Sequence, residues 1–242
     1  MVPGTAEGTV SPNRSSVGIT SPGGLRDPRL VFVGRSWPGG DRDGSGVAGW
    51  VALILEEAGA PTPGLRPTVG QLDSDLFREG DRVRVDGALG VVDLDGVEAV
   101  SVVTAFLERP DGRILLLRRS EAVGTFRGRW AGVSGFLEDA NPEAQAVREI
   151  WEETGIPAES LDVVIPGPLV YARDRERVFV VHPFRVRVTD ARYRLDWEHS
   201  EAEWVDPSEI LRRPTVPKLD RVWAAVARAS SGPPAAPPEE PS

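Results

Sequence analysis

The sequence predicts an α/β fold, and three patterns in its second half support this prediction. Val97–Glu108 and Arg113–Arg119 are apolar runs separated by a short turn segment, so they predict a β-hairpin. Pro142–Thr154 has the end signals of an α-helix, and Val178–Val188 predicts a further long strand. Lys218–Ala229 then predicts a second helix, so strands and helices alternate along this part of the chain.

The segments around these elements supply suitable turn and cap residues. Arg109–Gly112 reads Arg-Pro-Asp-Gly, which is typical of a β-turn between paired strands. Asn141 is a favourable N-cap, the proline after it suits the first helical turn, and Gly155 suits the position after the helix ends. Ser120–Asn141 contains four glycines and is expected to be a long loop. Shorter strands are expected at residues 163–164 and 169–172, and a short helix at residues 207–211.

A smaller α/β block precedes these elements. Arg29–Val33 predicts a strand, and Val47–Ala58, which is followed by glycine and proline, predicts a helix. Asp81–Val85 and Ala88–Leu94 flank an Asp-Gly pair and predict a hairpin. We therefore expect one small domain at residues 28–96 and a larger one at residues 97–229.

The two ends of the chain differ in composition from the blocks between them. Residues 1–27 are rich in glycine, proline, serine and threonine, and residues 230–242 form a Pro-rich tail. Neither segment has the apolar content of a packed core, so both are expected to be disordered and dispensable.

The composition excludes several classes of protein. The 242 residues include no cysteine, which excludes disulfides, thiolate metal sites and cysteine nucleophiles. The net charge of −9 argues against a nucleic acid polymer as partner. There is no signal-peptide pattern at the start, and no apolar run approaches the roughly 20 residues that span a bilayer. The sequence therefore predicts a cytoplasmic protein with no membrane partner.

The predicted helix at 142–154 has one strongly acidic face. Glu149, Glu152 and Glu153 share a sector about 100° wide on a helix of 3.6 residues per turn. Carboxylates this close repel one another, and a hard divalent cation such as Mg²⁺ would offset the repulsion. A solvated helix face is the alternative interpretation. Apolar residues on the opposite side are expected to anchor the helix in the core, namely Ala144, Val147 and Trp151.

The residues around this helix resemble the Nudix hydrolase family. Arg-Glu-Ile-Trp-Glu-Glu-Thr-Gly-Ile at 148–156 resembles the second half of the Nudix box. Gly128–Trp130 and Ser134–Phe136 resemble the approach to the box, and Trp197–Pro207 resembles the family's late segment. The resemblance covers residues 97–228, and it implies an α/β/α sandwich with a mixed sheet.

The match departs from the family pattern inside the box. Twelve residues separate Gly135 from Arg148, where the box has 13, and Ala140 stands where the box has its early glutamate. Glu138 lies two residues upstream of that position and is a candidate to replace the missing carboxylate.

The resemblance implies a pyrophosphohydrolase that cleaves a diphosphate linkage in a nucleoside diphosphate derivative. In the family, the residues that match Glu149, Glu152 and Glu153 bind Mg²⁺, with Mn²⁺ as a substitute, and one of them can act as base. The carbonyl of Gly135 is a further candidate ligand, and Arg148 would orient the glutamates.

Further candidates follow from position alone. Glu198 and Glu201 lie where some family members have an additional base or ligand, and the neighbouring His199 is a weaker candidate. Trp130 is a candidate for stacking on a base, with anchoring in the core or the loop as the equal alternative. Arg119 is a candidate for contacting phosphate, with a plain surface charge as the equal alternative.

The first block weakly resembles the swivelling β/β/α domains. Residues 80–87 and 90–92 match their hairpin, but Trp50 stands at the position of the phosphorylated histidine, so phosphotransfer is excluded. Two functions remain open for the whole chain, a hydrolase and a nucleotide-sensing module with weak or no catalysis. An isomerase of the same fold is disfavoured because it would need a cysteine. A homodimer is compatible with either function.

Overall fold

A computed structural model of the chain describes residues 5–12, 30–34, 50–55, 68–69, 74–78, 81–86, 91–138, 140–174 and 177–227. They fall into two compact units, Met1–Glu98 with Arg173–Val178 and Ala99–Ala172 with Phe179–Ser242. The limits that the sequence suggests for the two domains and the tails stay predictions.

The first unit contains a mixed six-stranded sheet within the described residues. Its strands are β1 (Thr5–Pro12), β2 (Leu30–Gly34), β3 (Trp50–Leu55), β4 (Thr68–Val69), β5 (Arg82–Asp86) and β6 (Val91–Leu94). They lie in the order β4-β3-β2-β1-β5-β6. Strands β1 to β4 are parallel to one another, whereas β5 pairs antiparallel with both β1 and β6.

Two sequence predictions for this unit are wrong and two are confirmed. The expected helix at Val47–Ala58 is strand β3, because a short apolar run has the same pattern in a buried strand as in a buried helix. Thr5–Pro12, expected to be disordered, forms β1 between β2 and β5, so backbone pairing orders a segment of low apolar content. The strand at 29–33 and the hairpin of β5 and β6 are confirmed, while the turn residues 87–90 lie outside the described residues. The swivelling-domain resemblance stays a prediction.

Deleting residues 1–12 should unfold the first unit. Without β1, both β2 and β5 lose the backbone partner on one side, and the sheet is cut in two at its middle. We expect the unfolding midpoint of this unit to fall by about 10 °C or more, the effect of losing a few kcal/mol in a small domain. Hydrogen exchange of the Arg82–Asp86 amides measures this loss. A control chain without residues 230–242 should keep its midpoint, and unchanged exchange in the 1–12 deletion would show that β1 is dispensable.

The second sheet has eight strands within the described residues and carries the two α-helices. Its elements are β7 (Glu98–Glu108), β8 (Ile114–Arg119), β9 (Trp130–Ala131), β10 (Val133–Phe136), α1 (Pro142–Thr154), β11 (Leu161–Pro166), β12 (Val170–Asp174), β13 (Arg177–Val188), β14 (His199–Val205) and α2 (Leu219–Ala227). The strand order is β11-β13-β7-β8-β14, with β10 paired to β7, β12 to β13 and β9 to β8. No helix among the described residues is long and apolar enough to cross a membrane.

The alternation of side chains along β7 and β8 places a core on each face of this sheet. Val103, Ala105 and Leu107 pack with α1, whereas Phe106 faces the other way and packs with α2. The strands are therefore covered by a helix on each side, and the expected α/β/α sandwich is confirmed.

The ends of α1 match the sequence prediction, but its buried face does not. The Asn141 side chain accepts hydrogen bonds from two backbone N–H groups of the first turn, and Gly155 closes the helix with φ 67°. Trp151 is half exposed, with the Arg194 guanidinium 5.9 Å from its ring centroid, and Ala144 is exposed. The side that packs on the sheet consists instead of Gln145, Ala146, Ile150, Glu153 and Thr154.

Other elements of this unit also differ from the sequence prediction. The expected loop 120–141 contains the short strands β9 and β10, and the segment 199–205, predicted without an element, is strand β14. The expected helix near residue 207 is a 3-10 segment, Pro207–Arg212. These short strands are specified by their neighbours in the sheet, since β10 pairs with β7 and β14 pairs with β8.

Candidate active site

Glu153 lies in the last turn of α1 and is the most deeply buried carboxylate of the acidic face. The residue has 3% relative exposure, and its Oε1 accepts a hydrogen bond of 3.2 Å from the backbone N–H of Ser134 on β10. Its Oε2 has no hydrogen-bond partner among the described residues. Burial, reinforced by the charges of Glu149, Asp196 and Glu198, raises the pKa of Glu153 well above its ordinary value of 4.5.

Glu149 lies one turn earlier on α1 and is half-buried. Gln145, four residues before it, donates a hydrogen bond of 2.7 Å from Nε2 to Glu149 Oε1. The Glu149 carboxylate occupies the space beside Gly135, where the Cβ of any other residue would lie 1.9 Å from Oε1. Burial is the main cause of the raised pKa of Glu149, and the charge of Glu152 adds to it.

The remaining residues of the acidic face are exposed. Glu152 points toward solvent, although its charge acts on Glu149. Arg148 Nη1 lies 3.4 Å from Glu138 Oε2, so the candidate for the missing box carboxylate is paired with the box arginine. Glu138 also contributes to the raised pKa of Glu149, which places its charge near the site.

A second set of polar residues lies near Glu153, in the turn before β14 and at the first residue of that strand. His199 has a fully buried side chain, with Nδ1 3.0 Å from Asp196 Oδ1 and Nε2 3.8 Å from Glu153 Oε2. Burial is the main cause of the lowered pKa of His199. The charge of Glu198 reaches both Glu149 and Glu153, so the structure brings this sequence candidate to the site.

Three sequence candidates have other contacts. Trp130 is buried in the core with the Arg213 guanidinium 4.5 Å from its ring centroid, and its stacking on a base stays a prediction. Arg119 donates from Nε to the Thr125 carbonyl at 3.0 Å. Glu201 pairs with Arg118 at 2.5 Å, an interaction between two exposed side chains on neighbouring strands.

Sequence reasoning missed two contributors to the site. Gln145 was not singled out, although its position four residues before Glu149 puts both side chains on the same face of a helix. Asp196 was not singled out either, and only the spacing of three residues to His199 signals their contact.

The site residues fit a hard divalent cation. In the described part of the chain, no three acidic or histidine side chains are already arranged as a metal centre. The donor set is nevertheless carboxylate oxygen, the type that Mg²⁺ and Mn²⁺ prefer. Glu153 Oε2 is a buried acceptor without a partner, and Gly135 leaves space for the carboxylate of Glu149 beside the backbone of β10.

Comparison with known proteins agrees with this geometry. The NUDIX domain model matches residues 99–226. A MutT-like protein of Streptomyces ambofaciens is 34% identical over 112 residues, which are 46% of this chain and 66% of the relative, just under two thirds of its length. A Mycobacterium tuberculosis protein provisionally named 8-oxo-dGTP diphosphatase 3 is 29% identical over 59% of this chain and 70% of its own length.

Among solved structures, a MutT protein from Methanosarcina mazei is 31% identical, with a TM-score of 0.45 over 52% of this chain and 89% of that one. The family model covers more than half of the 242 residues, and it includes the acidic helix, the Gly135 strand and β14. The chain therefore belongs to the NUDIX domain family.

Proposed function

We propose that this protein hydrolyses a diphosphate linkage in a nucleoside diphosphate derivative and that it requires Mg²⁺, with Mn²⁺ as a substitute. The observation that supports this most directly is the pair of inward carboxylates on α1. Glu149 and Glu153 both lie against β10, one beside Gly135 and the other on the N–H of Ser134. A half-buried and a buried carboxylate with raised pKa values lower the stability of the fold, which is typical of an active site.

The residues have distinct proposed roles. Glu149, Glu152, Glu153 and the carbonyl of Gly135 would hold the divalent ion. When bound, this ion would neutralise the oxygens of the diphosphate and lower the pKa of water. Glu149 is the better base, because it is half-buried and reaches solvent, whereas Glu153 is almost fully enclosed.

The names of the relatives support a nucleotide as the substrate. The Mycobacterium tuberculosis relative is named for 8-oxo-dGTP, a nucleoside triphosphate, and the Streptomyces relative is named for its likeness to MutT. Both matches are below 35% identity, so we propose the class of nucleoside diphosphate derivatives and not one compound.

A substrate panel with the full chain tests the proposal. Nucleoside triphosphates including 8-oxo-dGTP, nucleotide sugars, dinucleoside polyphosphates and coenzymes are incubated with Mg²⁺ or with EDTA, and the nucleotide products are separated. We expect Mg²⁺-dependent release of a nucleoside monophosphate or diphosphate from at least one of these classes. The Glu149→Gln/Glu153→Gln double variant is the negative control. Tight nucleotide binding without turnover would instead identify a sensing module.

Gln145→Leu should lower kcat by about tenfold, the lower end of the effect of removing a hydrogen-bond partner from a metal-binding residue. Leucine preserves the side-chain volume but removes the only hydrogen bond to Glu149 that the structure gives, at 2.7 Å. It also removes Gln145 Oε1, which is buried without a partner among the described residues, so stability should not fall. Steady-state kinetics with a thermal melt checks both parts, and an unchanged kcat would show that Glu149 needs no partner.

A further inference from the structure

Trp197 is the most exposed large aromatic residue in the described part of the second unit. It lies in the turn before β14, and its relative exposure is 68%. A single exposed apolar side chain is ordinary on a protein surface, so its surroundings decide whether it binds a ligand. Three features of these surroundings, namely its ring contacts, its backbone contacts and its position, all favour a ligand.

The other four tryptophans in the described part of the second unit each have a partner for the ring. Three have a guanidinium 4.5 to 5.9 Å from the ring centroid, and the fourth lies edge-on to a phenyl ring: Trp130 with Arg213, Trp151 with Arg194, Trp204 with Arg109 and Trp223 with Phe106. Among the described residues, neither a ring nor a cation packs on Trp197. Its indole is therefore available to a ligand.

The backbone on both sides of Trp197 is fixed by hydrogen bonds. Ser120, at the end of β8, donates from Oγ to the Trp197 carbonyl at 3.0 Å and from its N–H to the Glu198 carbonyl at 2.7 Å. The Glu198 N–H donates to Asp196 Oδ1 at 3.2 Å. An aromatic ring on such a fixed turn loses little conformational entropy when a ligand binds to it.

The turn also places Trp197 beside the acidic site. His199, two residues after Trp197, has its Nε2 3.8 Å from Glu153 Oε2, and two residues of backbone span at most about 7 Å. Glu198, between them, acts with its charge on both Glu149 and Glu153. Trp197 is thus close to the carboxylates but not one of their contacts. In a nucleoside diphosphate derivative, the sugar and a phosphate separate the base from the cleaved linkage, so this position suits the base.

We propose that Trp197 stacks on the base of the nucleotide whose diphosphate binds at Glu149 and Glu153. The inference rests on the proposed function, because it assumes that the substrate is a nucleotide. Every base has a π-face, so this contact raises the affinity for nucleotides over diphosphates without a base and does not select one base.

Isothermal titration calorimetry with ADP, GDP and inorganic pyrophosphate, in the presence of Mg²⁺, tests this contact in the full chain. Trp197→Ala removes the ring, and we expect the Kd of ADP and of GDP to rise by about tenfold or more, the scale of stacking one base on an aromatic ring. The Kd of pyrophosphate, which has no base, should be unchanged. Trp197→Phe retains an aromatic ring and should keep both nucleotide Kd values within about threefold of wild type.

Trp151→Ala is the matched control. Trp151 is also an exposed tryptophan of this unit, but it lies on α1 beside Arg194. Its removal should leave the Kd of all three probes unchanged. A thermal melt of each variant shows whether the fold is retained.

The outcomes separate the inference from the proposed function. Unchanged ADP and GDP binding in Trp197→Ala overturns the inference. Equal weakening of nucleotide and pyrophosphate binding also overturns it, because the ring would then support the phosphate site or the fold. Wild-type protein that hydrolyses a compound of the panel but binds ADP and GDP no more tightly than pyrophosphate overturns the inference alone. Wild-type protein that hydrolyses no compound and binds none of the three probes overturns the proposed function, and the inference with it.

Discussion

Replacing Glu153 by glutamine should remove almost all turnover while making the metal-free protein more stable. The amide cannot replace a charged ligand for a divalent ion, so we expect kcat to fall by about a hundredfold or more. This corresponds to about 2.7 kcal/mol of lost transition-state stabilisation. Glu143→Gln, an exposed glutamate in the first turn of the same helix, is the matched control and should retain full activity.

The gain in stability follows from the direction of the pKa shift. Burial raises the pKa of Glu153 in the folded protein, so the folded state binds this proton more tightly than the unfolded state does. The free energy of unfolding therefore falls as pH rises from the unfolded value of about 4.5 through the raised folded value. Glutamine does not titrate, so the variant does not show this fall in the free energy of unfolding.

Urea unfolding in EDTA over a pH series measures this effect. The difference in unfolding free energy between Glu153→Gln and wild type should grow as pH rises above about 4.5. Taking the difference between the two proteins cancels the titration of groups common to both, such as His182. Parallel stability curves across the whole series would show that Glu153 is not held in a costly environment.

Gly135→Ala should be nearly as damaging to activity as the loss of a glutamate. A methyl group at this position would lie 1.9 Å from Glu149 Oε1, so the carboxylate has to move. The displaced atoms are the end of a flexible side chain, and the fold can therefore accommodate the change. We expect kcat to fall by about a hundredfold, since a misplacement of about 1 Å has that effect on catalysis.

Gly124→Ala is the matched control for this variant. A Cβ at Gly124 would meet no atom within 4 Å, and the residue has no positive φ. Both variants should melt within a few degrees of wild type, but only Gly135→Ala should lose activity. Full activity in Gly135→Ala would contradict the placement of Glu149 beside the β10 backbone.

The sequence predicts the elements whose signals are local. The ends of α1 depend on Asn141 and Gly155, and the hairpin of β7 and β8 depends on its Pro-Asp-Gly turn, so both were predictable. Strand β3 was not, because six apolar residues do not distinguish a strand from a helix. Strand β1 was not either, because its order comes from pairing with β5, more than 70 residues away in the sequence.

The acidic face likewise has features that the sequence predicts and features that only the structure shows. Spacing alone places Glu149, Glu152 and Glu153 together, but it treats them as equivalent. The structure makes them different, because the helix packs on the sheet with Glu153 inward and Glu152 outward. Trp151 misled the sequence interpretation, since a large apolar residue is expected in the core, whereas here it is half exposed beside Arg194.

We propose that Glu149 and Glu153 together hold the divalent ion that diphosphate hydrolysis requires. Titration of Mn²⁺ into the full chain and into the Glu149→Gln/Glu153→Gln double variant, followed by the electron paramagnetic resonance of free Mn²⁺, tests it most directly. Wild-type protein should bind the ion, and the double variant should bind it at least a hundredfold more weakly, as expected when two charged ligands are lost. Equal affinity in the two proteins would contradict the claim.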